Sequence, residues 1–348
     1  MKKIITILFV AFTFLTVNAQ LVVTNDTNTV QLVNGFILTG VTASNVTFTG
    51  TVNTLGTFIN GNTTDIGLNN GIIMTTGNFL SSQIGSSASN FATYDNGGAG
   101  CGILDSLVSG TTYDATILEF DLIPAGNVLE FQYVFASEEY SEYVNSSFND
   151  VFGFFIGGAN PSGGNYTSYN IAIIPGTSLP VAINNVNNGY SSNCTTGPCT
   201  NCSYFIDNCT GLTIIFDGFT SVLQAQVFVI PYNTYHLKMA IADVGDGIYD
   251  SGIFLKAQSM KSYNGNVGIT NIQNSDYSLF PNPADDKIEI SLTVKSEIEI
   301  LNMAGQSIKS INADEKQINI DISGFTKGIY LLKVKNENGI AVEKFIKE

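Results

Sequence analysis

Between Leu129 and Phe135 every second residue is large and apolar: Leu129, Phe131, Tyr133 and Phe135 alternate with Glu130, Gln132 and Val134. Successive side chains of an extended chain point to opposite faces, so this pattern predicts a strand with one face in a core. Val151 to Ile156 is apolar almost without a break, which predicts a strand covered on both sides. Runs rich in β-branched and aromatic residues predict further strands over Asn170 to Ile174, Val181 to Val186, Leu212 to Phe216, Ala225 to Ile230, Thr234 to Ala242 and Gly252 to Ala257. Upstream, Gly40 to Asn45 and Gly71 to Gly77 read as additional strands with tight turns. No stretch of comparable length shows helical periodicity. The expected fold is all-β, with a large jelly-roll-like β-sandwich over 20–260.

The pattern changes after Met260. Residues 261–276 open with Lys261-Ser262-Tyr263-Asn264-Gly265-Asn266, lack hydrophobic periodicity and read as a linker. Beyond it come short, evenly spaced strands, Lys287 to Leu292, Ser296 to Leu301, Gln317 to Ile322, Ile329 to Val334 and Ile340 to Ile346, with turn residues between them. This predicts a second, small immunoglobulin-like β-sandwich over 277–348. At the other end, Lys2-Lys3, the apolar run Ile4 to Val17 and Val17-Asn18-Ala19 follow the order of a secretory signal, expected to span 1–19 and to be cleaved after Ala19. The run is shorter than the ~20 residues a spanning helix needs. No Cys follows the cleavage point, which argues against a lipoprotein.

Charge sharpens this picture. The chain contains no Arg, and between Gln20 and Met260 seventeen Asp and Glu face only Lys238 and Lys256. Nucleic acids and anionic membranes are gripped by clustered cationic side chains, so neither is an expected partner. Cations and neutral ligands fit better. Asp243, Asp246 and Asp250, spaced by Gly245 and Gly247 just after the Thr234 to Ala242 strand, form the strongest local candidate. Carboxylates gathered in a loop repel one another unless a cation neutralises them, and Ca²⁺ takes six to eight oxygen ligands, so Ca²⁺ is the expected ion. Glu138 and Asp150 are weaker additional ligands. The competing reading is turn capping by Asp243 and Asp250, with Asp246 solvated.

The same carboxylates, Glu138, Asp150 and Asp243, could alternatively serve a polysaccharide hydrolase or lyase, which needs two carboxyl groups about 5–10 Å apart. No catalytic residue is assigned. His236 is the only histidine, has no Ser or Cys nucleophile motif to serve, and reads as structural. Cys194, Cys199, Cys202 and Cys209 would suggest zinc in a reducing compartment. In an exported chain they predict two local disulfides, with three pairings open and Cys101 free or paired with one of them. Tyr94, Tyr113, Tyr140, Tyr143, Tyr166, Tyr169, Tyr190 and Tyr249 fall in predicted loops or strand ends, where rings pack or stack on sugars.

Two resemblances follow. Leu279-Phe280-Pro281-Asn282-Pro283, Ile298 to Gly305 and Gly328 to Val334 resemble the C-terminal sorting domain of type IX secretion cargo. That resemblance implies partners in the type IX machinery and its sortase-like processing enzyme, release or attachment to surface lipopolysaccharide, and a location outside the cell or on the outer-membrane surface. Phe135 to Tyr140, Phe148 to Phe155 and Ile241 to Gly252, with Leu118 to Asp121 and Asp217 to Thr220, resemble the choice-of-anchor L family. This implies an exported protein and no assigned catalysis. The expected function is therefore a noncatalytic binding or adhesion protein for a neutral glycan or surface component, with Ca²⁺ as the candidate cofactor. A structural role in a surface layer or biofilm is the other nonenzymatic alternative.

Overall fold

The computed structural model describes residues 21–348 except 83, 193–196, 266–276, 303–306, 314 and 337–338. The expected signal segment and Cys194 lie outside the described residues. The chain divides into two compact units, 1–264 and 265–348.

The large unit is a sandwich of a ten-stranded and a five-stranded sheet. Val128–Ser137 lies inside the first sheet, between Ser251–Lys256 and Met260–Tyr263 on one side and Gly218–Thr220 and Leu223–Phe228 on the other. The second sheet runs in the order Val41–Thr49, Thr112–Pro124, Tyr235–Val244, Val151–Ala159, Asn165–Asn170. All strand pairs are antiparallel except Met260–Tyr263 with Ile37–Thr39. Alternation decides what lies between the sheets: Leu129, Phe131, Tyr133 and Phe135 meet Leu118, Phe120, Phe152, Phe154, Leu237 and Met239. Phe152 alone touches the rings of Tyr133, Phe135 and Phe154 at centroid distances of 5.4, 5.1 and 5.2 Å.

Several features depart from the pattern-based expectation. Val181 to Val186, expected as a strand, makes a 3₁₀ turn over Ile183–Asn185, and of Asn170 to Ile174 only Asn170 belongs to a strand. Thr29–Phe36 is an α-helix, N-capped by the Asn28 side chain, that buries Leu32, Val33 and Phe36 in the core. Leu212 to Phe216 is a loop rather than a strand. Its Ile214, Ile215 and Phe216 cover Val134, Ala136 and Phe254 on the outer side of the large sheet. The loop's buried backbone is satisfied by the side chain of Asn208, which donates to the carbonyls of Ile214 (3.0 Å) and Phe216 (2.7 Å). Finally, Met260–Tyr263 is a strand of the large unit, so the composition break at Met260 falls a few residues before the structural one.

The C-terminal unit pairs a three-stranded sheet (Tyr277–Phe280, Lys287–Leu292, Gln317–Asp321) with a four-stranded sheet (Ser307–Ala313, Ser296–Asn302, Gly328–Asn336, Gly339–Lys347). Ile288, Ile290, Ile298, Ile300, Leu332 and Phe345 form its own core.

Candidate functional site

The alternation that builds the core continues past its last apolar residues, and what it carries inward there is polar. Two residues beyond Ile241 stands Asp243; two before Phe152 stands Asp150. Ser251 precedes Ile253 in the same way, Ser137 follows Phe135 and Thr116 precedes Leu118. Cross-strand register gathers these ends: Ala242 pairs with Val151, Val244 with Thr112 and Ser251 with Ser137. One end of the sandwich therefore closes on an acidic cap. Asp114, Glu138, Glu139, Asp150, Asp243 and Asp250 are all buried, none more than 3% exposed.

A β-bulge shapes this cap. The ladder between Tyr235–Val244 and Thr112–Pro124 shifts register between Ile241, opposite Thr116, and Asp243, opposite Tyr113. The extra residue is accommodated at Asp114, whose φ is 49°. Asp114 then accepts backbone hydrogen bonds from Asn96 (2.8 Å) and Gly98, pinning the segment that crosses the cap. Asp250 accepts from the Tyr94 amide at 3.0 Å. Its carboxylate lies so close to Gly77 that any side chain there would collide with it.

Hydrogen bonding within the cap is uneven. Asp150 accepts from the Val244 amide (2.9 Å) and the Ser251 hydroxyl (2.6 Å). Neither carboxylate oxygen of Asp243 has a hydrogen-bond partner. The neighbouring Thr76 hydroxyl is engaged with Ser251, accepting from its amide at 2.9 Å and facing its carbonyl at 3.5 Å. Burial, followed by repulsion from Asp150 and Asp250, holds the Asp243 carboxyl well above the usual range. Burial pushes Glu138 up to about 9, Glu139 to about 10 and Asp150 to about 7, with neighbouring carboxylates adding to each. The lysines are engaged elsewhere: Lys238 with Glu119 (3.3 Å), Lys256 with Gln132 (2.7 Å) and Lys261 with Glu130 (3.0 Å).

The structure thus brings Asp243, Asp250, Asp150 and Glu138 into one region but leaves Asp246 aside. Asp246 stays in the loop and closes a turn by accepting from the Ile248 amide at 3.2 Å. Asp243 belongs to the strand itself and turns inward. Glu139 shares the buried cap with Glu138, and Asp114 is a member that the loop-centred reading lacked. Among the described residues, no group of three or more His, Cys, Asp or Glu stands ready to hold a metal ion as folded. His236 is at the surface, bridging Asp121 (2.9 Å) and Glu119 (3.3 Å). Cys199 and Cys202 form a disulfide, Cys209 is disulfide-bonded as well, and Cys101 is free and buried. Tyr140 is fully buried and donates to the Val186 carbonyl at 2.8 Å.

A second polar region lies on the outward face of the large sheet. Register sets Gln132 opposite Gln224, and Glu130 opposite both Gln226 and Lys261. One Glu130 oxygen accepts from Gln224, Gln226 and Tyr263, each at 2.8 Å. Burial opposes ionisation of Glu130, but hydrogen bonds from Tyr263, Lys261 and Gln226 outweigh it and hold the carboxyl below its usual range. The charge is thereby neutralised locally. A cavity of about 290 Å³ opens over Glu130, Gln132 and Gln224. On the same Leu223–Phe228 strand, Gln226 and Phe228 line a second one of about 540 Å³ with Tyr166 and Tyr169, whose rings stack at 5.3 Å. Tyr169 and Phe228 are half exposed.

Two β-sandwich units with separate cores, disulfide-bonded cysteines and a lysine-poor acidic large unit define a two-domain all-β protein of extracellular type. Family models carry this further, matching the Choice-of-anchor L domain over 18–261 and the Secretion system C-terminal sorting domain over 278–348. The chain belongs to the choice-of-anchor L domain family, and its type IX sorting tail makes it a secreted or cell-surface protein that engages the type IX secretion machinery. No curated protein matches the sequence. Similar solved structures include PorZ, a surface component of the type-IX secretion system of Porphyromonas gingivalis (13% identity, TM-score 0.20, covering 31% of this chain and 14% of that one). The BSP domain of a biofilm-associated protein is another (7%, 0.19, 67% and 48%), as is the adhesin domain of Epf from Streptococcus pyogenes (9%, 0.17, 67% and 75%). This chain spans less than half of the first two, and superpositions at these scores carry no functional weight.

Proposed function

We propose that the protein is a noncatalytic surface or secreted binder of neutral glycans, and that the outward face of its large sheet is the binding platform. The observation that carries this reading is the cross-strand array of Gln132, Gln224, Gln226 and Glu130 beside the stacked Tyr166–Tyr169 pair. Amides and a locally neutralised carboxylate suit the hydroxyls of an uncharged sugar, and exposed rings suit its apolar face. By contrast, Glu138, Asp150 and Asp243 are buried. A glycosidic bond could not reach them without the cap opening, so the hydrolase reading has less support. The test is a glycan array with the secreted chain, followed by titration of any bound neutral polysaccharide. Tyr169→Ala and Gln226→Ala are expected to weaken binding about tenfold each, corresponding to about 1.4 kcal/mol. Absence of binding to every neutral glycan, or binding indifferent to both substitutions, would overturn the proposal.

A further inference from the structure

We propose that the acidic cap between the two sheets is a Ca²⁺ site in which Asp243 and Asp150 are the principal ligands, and that the loop residue Asp246 takes no part. This is independent of the glycan platform, which lies elsewhere on the large unit.

The inference starts from Asp243. Its side chain is 1% exposed and points into the cap, with both oxygens unpartnered and Asp150, Asp250 and Asp114 as its charged neighbours. A buried carboxylate without a hydrogen bond is costly, and placing it against further carboxylates adds to the cost. Relief can come only from protons or a cation, because Lys238, Lys256 and Lys261 are committed to other partners. The donors available narrow the cation. The cap offers carboxylates and the hydroxyls of Ser251 and Thr76, which bond Asp150 and the Ser251 backbone respectively. It offers no imidazole, since His236 pairs with Asp121 and Glu119. An all-oxygen set selects a hard ion, and carboxyls that must be drawn together from several elements suit the irregular coordination that Ca²⁺ accepts better than the near-ideal octahedron that Mg²⁺ demands.

The absence of a ready three-ligand arrangement among the described residues means that binding must draw carboxyls together. Elements that can supply them converge here: Asp243 and Asp114 flank the bulge, Asp150 begins Val151–Ala159, and Glu139 follows Val128–Ser137 at the inward phase of the alternation. Extracellular modules commonly bind Ca²⁺ at about 10⁻⁴–10⁻³ M, which matches where this protein works.

The experiment uses the full chain, stripped with EDTA at pH 7.5. Calorimetric scans are run with no metal, with CaCl₂ and with MgCl₂, and bound Ca²⁺ is counted by equilibrium dialysis. The expected result is about one Ca²⁺ per chain and a rise of roughly 3–6 °C in one transition at tenfold excess over Kd. Mg²⁺ should give less. Asp243→Asn should abolish the Ca²⁺ shift and Asp246→Asn should leave it intact. If Asp243→Asn does not fold, Asp150→Asn and the dialysis stoichiometry of the unaltered chain decide. No saturable Ca²⁺, or a shift that survives loss of Asp243 but not of Asp246, would overturn the proposal. Stability that responds to acid but never to Ca²⁺ would equally overturn it, leaving protons as the sole neutralisers.

Discussion

Glutamine in place of Glu138 isolates the electrostatic cost of the cap. Glu138 is 3% exposed, and burial foremost, then repulsion from Asp217, Asp250 and Glu142, lifts its carboxyl from 4.5 to about 9. In the unfolded chain the proton leaves near 4.5, whereas the folded chain keeps it until about 9. Between those values the native state binds more protons than the unfolded state. Stability contributed by this group is therefore fully present below 4.5 and declines as pH rises through the window, opposite in sign to a salt-bridged carboxylate. Each pH unit costs up to about 1.4 kcal/mol, so pH 5 to 8 costs at most ~4 kcal/mol. At 2–4 °C per kcal/mol for a domain of this size, the corresponding transition should fall by roughly 8–16 °C from this group alone. Glu138→Gln removes the titration, because an amide stays neutral throughout. Scanning calorimetry of both chains in EDTA from pH 5 to 8 should show a shallower decline in the variant. Equal slopes would refute the account, as would a slope that steepens on substitution.

Other predictions follow from packing, loop support and sorting. Phe152→Ala empties a site surrounded by three aromatic rings and should cost about 3–5 kcal/mol, read as a lowered denaturation midpoint at unchanged m. Asn208→Ala strips the donors from the Ile214 and Phe216 carbonyls and should cost about 2 kcal/mol or more; a neutral result would mean that water replaces the amide. Deleting 278–348 should leave the chain inside the cell envelope, as followed by fractionation and immunoblotting, and unchanged delivery to the surface or medium would contradict the sorting role of the tail.

Much of this was legible along the chain. The inward residues of Val128–Ser137 and Tyr235–Val244 are those that alternation selects, because period two is imposed by the backbone itself, and the unbroken apolar run opening Val151–Ala159 is buried on both faces. The apolar run at Leu212 to Phe216 misled because burial, not extended pairing, is what its composition encodes; Asn208 supplies what a ladder would have supplied. The Thr29–Phe36 helix spans two turns, too short for its periodicity to stand out. In the candidate site, the carboxylates were visible but their direction was not: reading Ala242 as the last strand residue placed Asp243 in a loop, whereas one further step of the alternation turns it inward. The glycan platform required register. Glu130 and Gln132 announce a polar face, but nothing local pairs them with Gln226 and Gln224 some ninety residues away.

The short strand Met260–Tyr263 sets a limit on maturation. Tyr263 donates to Glu130 and Lys261 offsets its charge, only a few residues before the second unit begins at 265. A protease that trims beyond Tyr263 leaves the large unit's core and its outward face whole. One that cuts between Met260 and Lys261 would strip Glu130 of its counter-charge and of its Tyr263 donor while the buried Met260 stays in place, producing a particle that is exported but blunted.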